Sequence, residues 1–240
     1  MAYDFTRFRT ILSDWGISCS DLMQEQLLTY YEMLVEKNKV MNLTAITEFE
    51  DVIEKHFLDS LSIAQYVDLT GDLSLIDLGT GAGFPGIPLK IIFPNVNMTL
   101  ADSLNKRILF LDEVILALGL EKIKTIHGRA EELAVHPDYR EQYDLCVSRA
   151  VANLASLSEY CLPFVKVGGQ FISYKSDEIE EELSAAKRAI FLLGGELKEV
   201  ISFRLADTQI GRSFVFLSKV KRTPKAYPRK SGTPSKKPLH

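Results

Sequence analysis

The run Leu75-Ile76-Asp77-Leu78-Gly79-Thr80-Gly81-Ala82-Gly83-Phe84-Pro85-Gly86 holds the residue types best suited to chemistry in this 240-residue chain. An apolar strand ends at an acid, and glycines then let the backbone approach a ligand closely at the strand's carboxyl end. Gly81 to Gly86 formally fits G-x-G-x-x-G, a pattern that aims helix N-terminal amides at a pyrophosphate. Pro85 removes one such donor and Pro88 another, so the loop is poorly equipped for phosphate. Asp102 ends the next apolar run, about twenty residues on, where a carboxylate accepts ribose hydroxyls. Other groups are weaker candidates. His56 and Asp59 lie three apart on one helix face, as a catalytic dyad or a structural hydrogen bond. Lys106 and Arg107 open a helix at the same rim, and Glu180–Glu182 with Lys187 and Arg188 read as a solvated helix face. Cys146 falls in an apolar strand and Cys161 in a helical stripe, both predicted core thiols.

The elements that must position these groups follow from hydrophobic period. Phe5, Phe8, Leu12 and Trp15 recur at helical spacing, as do Leu22, Met23, Leu27, Tyr30, Tyr31, Leu34 and Val35. Thr47-Glu48-Phe49-Glu50 matches a capping box before a third stripe of Phe49, Val52, Ile53, Phe57, Leu61 and Ala64. From Leu73 short apolar runs take over, at Leu73–Leu78, Asn97–Ala101, Lys124–His127, Asp144–Ser148, Gln170–Tyr174, Leu197–Phe203 and Ser213–Val220. Helical patterns separate the early ones. The clearest is Leu104, Ile108, Leu111, Ile115 and Leu118, closed by Gly119 as its C′ residue. Strands alternating with helices predict right-handed crossovers and a mostly parallel α/β sheet covered on both faces. The last two runs have only a short connection and should pair antiparallel.

Composition sets bounds on function. With 46% hydrophobic and 25% charged residues, the chain reads as an ordinary globular protein. Three scattered cysteines make neither a disulfide framework nor a zinc signature, so no metal is expected. No signal-like apolar run or membrane-length stretch occurs, which predicts a cytoplasmic protein with no membrane partner. Net charge is −4, but it is segregated. Residues 219–240 carry eight cations and no acid, leaving 20 basic against 32 acidic residues, or −12, elsewhere. A basic tail over an acidic body is either a solubilising arm or a polyanion-binding one.

Asp-Leu-Gly-Thr-Gly-Ala-Gly resembles motif I of class I methyltransferases, whose cofactor, S-adenosylmethionine, has no phosphate. More of the chain resembles one family. Asn38–Ile46, His56–Ser60, Asp77–Pro88, Asp102–Arg107, Gly128–Glu131, Ser148–Ala152 and Tyr227–Pro234 are similar to the bacterial 16S rRNA guanine-N7 methyltransferase family, RsmG, also called GidB. The resemblance implies a class I, Rossmann-like, seven-stranded mostly parallel sheet with an antiparallel last strand. It implies an N-terminal helical extension over 1–70, a cofactor-binding core over 71–220 and a basic, proline-rich tail over 221–240. Asp77, Gly79, Gly81, Gly83, Phe84, Asp102 and Ser103 would form the cofactor site, with Asp102 on the ribose and Ala130 and Glu131 flanking the adenine. Arg149 would sit beside both cofactor and target base. Lys106, Arg107, Lys175, Arg222, Lys225, Arg229 and Lys230 would meet RNA, either naked 16S rRNA or the small ribosomal subunit. One departure is visible, Lys175-Ser176 where the family pattern has Lys-Gly.

The chemistry implied is methyl transfer to N7 of one guanosine, number 527 in the 530 loop of 16S rRNA. Guanine N7 carries an in-plane lone pair and no proton, so no general base is expected, and Arg149 would act by positioning. After the fourth strand Ser148-Arg149-Ala150-Val151 stands where amine methyltransferases carry Asp/Asn-Pro-Pro-Tyr/Phe. A monomer is expected. A methyltransferase for a small molecule or protein, and a non-enzymatic RNA-binding module, are the competing classes. Cofactor binding and methyl transfer to RNA tell the three apart.

Overall fold

The apolar runs fold into seven strands, as a computed structural model describing residues 3–239 shows. They are β1 (Ser74–Leu78), β2 (Asn97–Asp102), β3 (Ile123–His127), β4 (Tyr143–Arg149), β5 (Val165–Lys175), β6 (Gly195–Arg204) and β7 (Gly211–Lys219). One sheet results, in the order β3-β2-β1-β4-β5-β7-β6. Its first five strands run parallel, and β7 is antiparallel to both β5 and β6. Strand order reverses between β1 and β4, and a crevice opens at the carboxyl ends of strands where crossovers part in this way.

Side chains alternate across this sheet, so each strand feeds two cores. Leu75, Val147, Ile172 and Phe214 join one apolar cluster, while Ile76, Cys146, Phe171 and Val215 join the other. The first is covered by α1 (Thr6–Asp14), α2 (Asp21–Met41), α5 (Gly86–Ile92) and α6 (Asn105–Ala117). The second is covered by α7 (Ala130–Leu133), α8 (Leu154–Cys161) and α9 (Glu180–Leu192). Phe8, Leu12, Leu27, Tyr30 and Leu34 share their core with Leu100 and Val147, so the N-terminal helices are a layer on the sheet. Both Cys146 and Cys161 are buried, and burial pushes the Cys161 thiol up. Helix α6 ends as its sequence demands. Gly119 takes φ +60°, with Gly119 N donating to Leu116 O and Leu120 N to Ile115 O, a Schellman closure.

Two local expectations fail. The capping box at Thr47–Glu50 does not form. Helix α3 (Phe49–Val52) has Glu48 at its N-cap and no side-chain cap bond, and the Thr47 carbonyl accepts from Tyr31 Oη instead. That helix then widens into a π-helical stretch over Ile53–Leu58 and continues through α4 (Asp59–Leu61). The tail is not an extended arm either. Thr233–Lys236 form a short helix, α10, Pro234 is buried, and Tyr227 and Leu239 pack on the α8–α9 cluster. Pro224, Pro228, Pro234 and Pro238 interrupt it, but Arg229 binds the fully buried Glu159 and draws the segment down. Residues 1, 2 and 240 of the expected extension and tail lie outside the described residues.

Candidate functional site

The glycine loop is closed on itself. Asp77, fully buried at the end of β1, accepts at Oδ2 from Thr80 Oγ1 (2.7 Å) and from Gly86 N (2.8 Å). Gly83 N and Phe84 N donate to Thr80 O, and Ile87 N donates to Gly83 O. With Pro85 lacking a donor, the opening turn of α5 has no amide left for a pyrophosphate. Asp77 Oδ1 has no partner, and burial raises this carboxyl to about 6 despite the two hydrogen bonds. From the other side Tyr30 Oη donates to Ala82 O (2.7 Å), which ties α2 to the loop.

Beyond the loop, a cavity of about 380 Å³ lies over the ends of β1, β2 and β4. Gly79 forms part of its wall at φ +73°, where an added Cβ would stand 2.5 Å from Val151 Cγ2. Asp102 accepts at Oδ1 from Leu104 N (2.9 Å) and at Oδ2 from Gly81 N (3.0 Å) and Arg107 Nη1 (3.2 Å). A carboxylate offers about four acceptor positions, so ligand hydroxyls compete with Arg107, the one mobile side chain of the three donors. Ser103, Ala130 and Glu131 complete the part of this wall that the sequence identifies. Glycine backbone, with Asp102 and Glu131 set among Arg107 and Arg129, lines a cavity that suits a nucleoside ligand such as S-adenosylmethionine.

Asp77, Gly81, Gly83 and Phe84, expected against the cofactor, stand behind that wall and shape it. Phe84 is buried among Tyr30, Phe57 and His56, with its ring 4.4 Å from the imidazole. Arg149 too is off the first cavity. It faces a second one of about 660 Å³, lined also by His56, Asp59, Tyr174 and Arg212, and the two cavities meet at Ala150.

Arg149 is held from four directions. Its Nη1 donates to Asp59 Oδ2 (2.5 Å) and Lys55 O (3.2 Å), its Nη2 lies 3.3 Å from His56 Nδ1, and its guanidinium covers the Phe84 ring at 5.3 Å. The Lys55 carbonyl that accepts from Arg149 lies in the π-helical stretch. Asp59, 3% exposed, binds Arg212 Nε (2.6 Å) through its other oxygen. Arginine can only donate, so His56 Nδ1 is an acceptor and the proton sits on Nε2, aimed at Thr44 Oγ1 (2.9 Å). Desolvation, then the Arg149 charge, lower the His56 pKa to about 4. The His–Asp motif thus fixes an arginine in place, and neither member contacts the other by a hydrogen bond.

Several expected RNA contacts are occupied. Lys175 Nζ donates to Glu182 Oε1 (2.6 Å) and Ala152 O (2.8 Å), so neither Lys175 nor Glu182 is a free surface charge. Arg229 is paired with Glu159 and Arg107 with Asp102. Lys106, Lys225 and Lys230 are exposed, with no ion pair among the described residues, and Arg222 is 88% exposed beside Glu141. Sequence reasoning missed Tyr160, Gly232 and Ser235 on the first cavity and Arg212 on the second. A signal existed for part of this, since an acid such as Glu159 in an apolar helical stripe calls for a buried cation.

Sheet order 3-2-1-4-5-7-6, a bare glycine turn and an acid at the end of β2 define a class I S-adenosylmethionine-dependent methyltransferase. The solved structure of a SAM-dependent methyltransferase from Aquifex aeolicus shares the fold, with TM-score 0.55 and 16% identity over 78% of this chain and 98% of that one. TrmN from Thermus thermophilus gives 0.52 and 16% over 70% and 53%. The family described as GidB, rRNA small subunit methyltransferase G, matches residues 23–211. Ribosomal RNA small subunit methyltransferase G of Lachnoclostridium phytofermentans is 55% identical over 237 residues, 98% of each chain, and that of Staphylococcus saprophyticus 52% over 228 residues, 95% of each. The chain belongs to the rRNA small subunit methyltransferase G family.

Proposed function

We propose that this enzyme transfers the methyl group of S-adenosylmethionine to N7 of guanosine 527, in the 530 loop of 16S rRNA. The observation that carries the reading is a second cavity, adjoining the cofactor cavity, in which no general base is free. Asp59 is shared by two arginines, Glu182 holds Lys175, and the His56 Nδ1 lone pair faces Arg149. Methylation of N7 needs no proton removed, whereas methylation of an amine or a ribose hydroxyl does. When bound, the cofactor supplies a methyl group activated by its sulfonium. Gly79, Asp102, Ser103, Ala130 and Glu131 would hold it, and Arg149 would orient the base and help to exclude water. The acceptor is 16S rRNA, naked or within the small subunit, met by a monomer in the cytoplasm.

The test is methyl transfer to naked 16S rRNA and to small subunits, with the product mapped by mass spectrometry. A 7-methylguanosine at position 527 is expected in one of them. Label on an exocyclic amine or a ribose, or in neither substrate, would overturn the reading. A second measurement concerns how RNA is gripped. Replacing Lys106, Lys225 and Lys230 together by alanine should flatten the log–log salt dependence of RNA affinity by about 2, at roughly 0.7 per phosphate neutralised on a single strand. An identical slope would place the RNA on other cations.

A further inference from the structure

We propose that the C-terminal segment Tyr227–Leu239 is a wall of the cofactor site and sets how long the cofactor stays bound. The inference rests on reading the first cavity as that site. Gly232 and Ser235 face the cavity beside Glu131 and Tyr160. Gly232 N donates to Glu131 Oε1 (2.7 Å), and Ser231 Oγ donates to Glu132 Oε1 (3.0 Å), so the segment fastens the acidic side chain that lines the pocket. Gly232 takes φ +80°, and no atom stands within 4 Å of where its Cβ would be. Glycine therefore serves the turn of the backbone toward Glu131, not a lack of space.

The segment is latched at two points on α8, the helix that also presents Tyr160. Glu159, wholly buried, accepts from Arg229 N (2.7 Å), from Arg229 Nε (3.0 and 3.1 Å) and from Nη2 (2.6 Å). Ser156 Oγ donates to Pro234 O (2.8 Å). Nothing in residues 227–239 pairs with a strand of the sheet. A wall held by one ion pair, a few hydrogen bonds that include Arg140 Nη1 to Tyr227 O, and the packing of Tyr227, Pro234 and Leu239 can open while the sheet stays folded. The cavity is closed on this side by a detachable piece of chain, and cofactor dissociation follows its opening.

The experiment uses full-length protein, with calorimetry and stopped-flow dissociation of S-adenosylmethionine and S-adenosylhomocysteine. Arg229→Ala should weaken both ligands by about tenfold or more, the loss expected for a charge-assisted latch. Most of it should appear as faster dissociation. Because that variant leaves Glu159 buried and unpaired, the double variant Glu159→Gln, Arg229→Ala is the second arm, and it should dissociate ligand faster at near wild-type thermal stability. Arg229→Lys should recover part of the lost affinity. Amide exchange over Tyr227–Leu239 in the unaltered protein should slow when S-adenosylhomocysteine binds. Wild-type affinity and dissociation rate in both variants, or exchange that ligand leaves unchanged, would overturn the proposal. Weaker RNA binding with unaltered cofactor binding would do so too, by making the segment a basic arm. If the unaltered protein bound neither ligand, the cofactor reading itself would fall.

Discussion

Replacing Arg149 by alanine is expected to lower the rate of methyl transfer at saturation about a hundredfold, the scale on which a reacting group misplaced by an ångström slows a positioned reaction. Cofactor affinity should hold, because Arg149 does not line the cavity proposed for the cofactor. Three contacts and a ring fix its guanidinium, and its remaining donors are left for whatever enters the second cavity. The fold should tolerate the change, since Asp59 keeps Arg212. Lysine at this position should do little better than alanine, as an ammonium cannot stack on Phe84 and fork toward Asp59 and His56 together. Single-turnover kinetics with both substrates saturating give the measurement. A rate constant equal to wild type would leave Arg149 with a purely structural part.

Gly83→Ala should cost about 3 kcal/mol of stability, from a strained backbone angle together with overpacking. At φ +112° an L residue has no comfortable conformation, and its Cβ would meet Ile87 Cγ1 at 2.7 Å, Tyr30 Oη at 2.8 Å and Leu111 Cδ2 at 2.9 Å. Gly81→Ala should cost about 1 kcal/mol, the usual penalty for a left-handed residue, because φ is +63° and only Gly79 O comes as near as 4.0 Å. Chemical denaturation of the two variants compares them directly. Equal midpoints would mean that Gly83 does not face the core. From the sequence both glycines look like cofactor contacts, with a bulky substitution costing ligand and not fold; the geometry assigns Gly83 the opposite balance.

The seven strands and the two-faced core were legible because strands buried on both faces are continuous apolar runs, as in Leu75-Ile76 and Phe214-Val215-Phe216, whose neighbours enter opposite cores. The wall residues Gly79, Asp102, Ala130 and Glu131 were legible for a related reason. Each sits at or a few residues beyond the carboxyl end of a strand, where chain direction largely fixes position. What stayed hidden depends on contacts between distant segments. Nothing local tells that Asp59 will meet Arg212, or that Arg229 will be drawn to Glu159. The capping box misled because α3 starts at Phe49 with Glu48 as its N-cap, one residue past the position the motif requires. A π-helical turn leaves hardly any trace in hydrophobic spacing, so the contact of Arg149 with the Lys55 carbonyl could not be foreseen.

Asp77 is expected to make the site selective against ligands that carry phosphate. ATP, ADP and the nicotinamide dinucleotides all carry an adenosine that the same pocket could accept, and a cell holds them in excess. Each brings phosphates to the end of β1, where this enzyme already keeps an anion of its own, bound to Gly86 N and shielded from solvent. An incoming phosphate finds no free amide on the opening turn of α5, and the carboxylate buried behind the loop opposes it. Adding excess ATP should therefore leave the apparent affinity for S-adenosylmethionine unchanged, whereas adenosine itself should compete. Selectivity of this kind comes from a fixed negative charge under the loop, with no contact made to the favoured ligand.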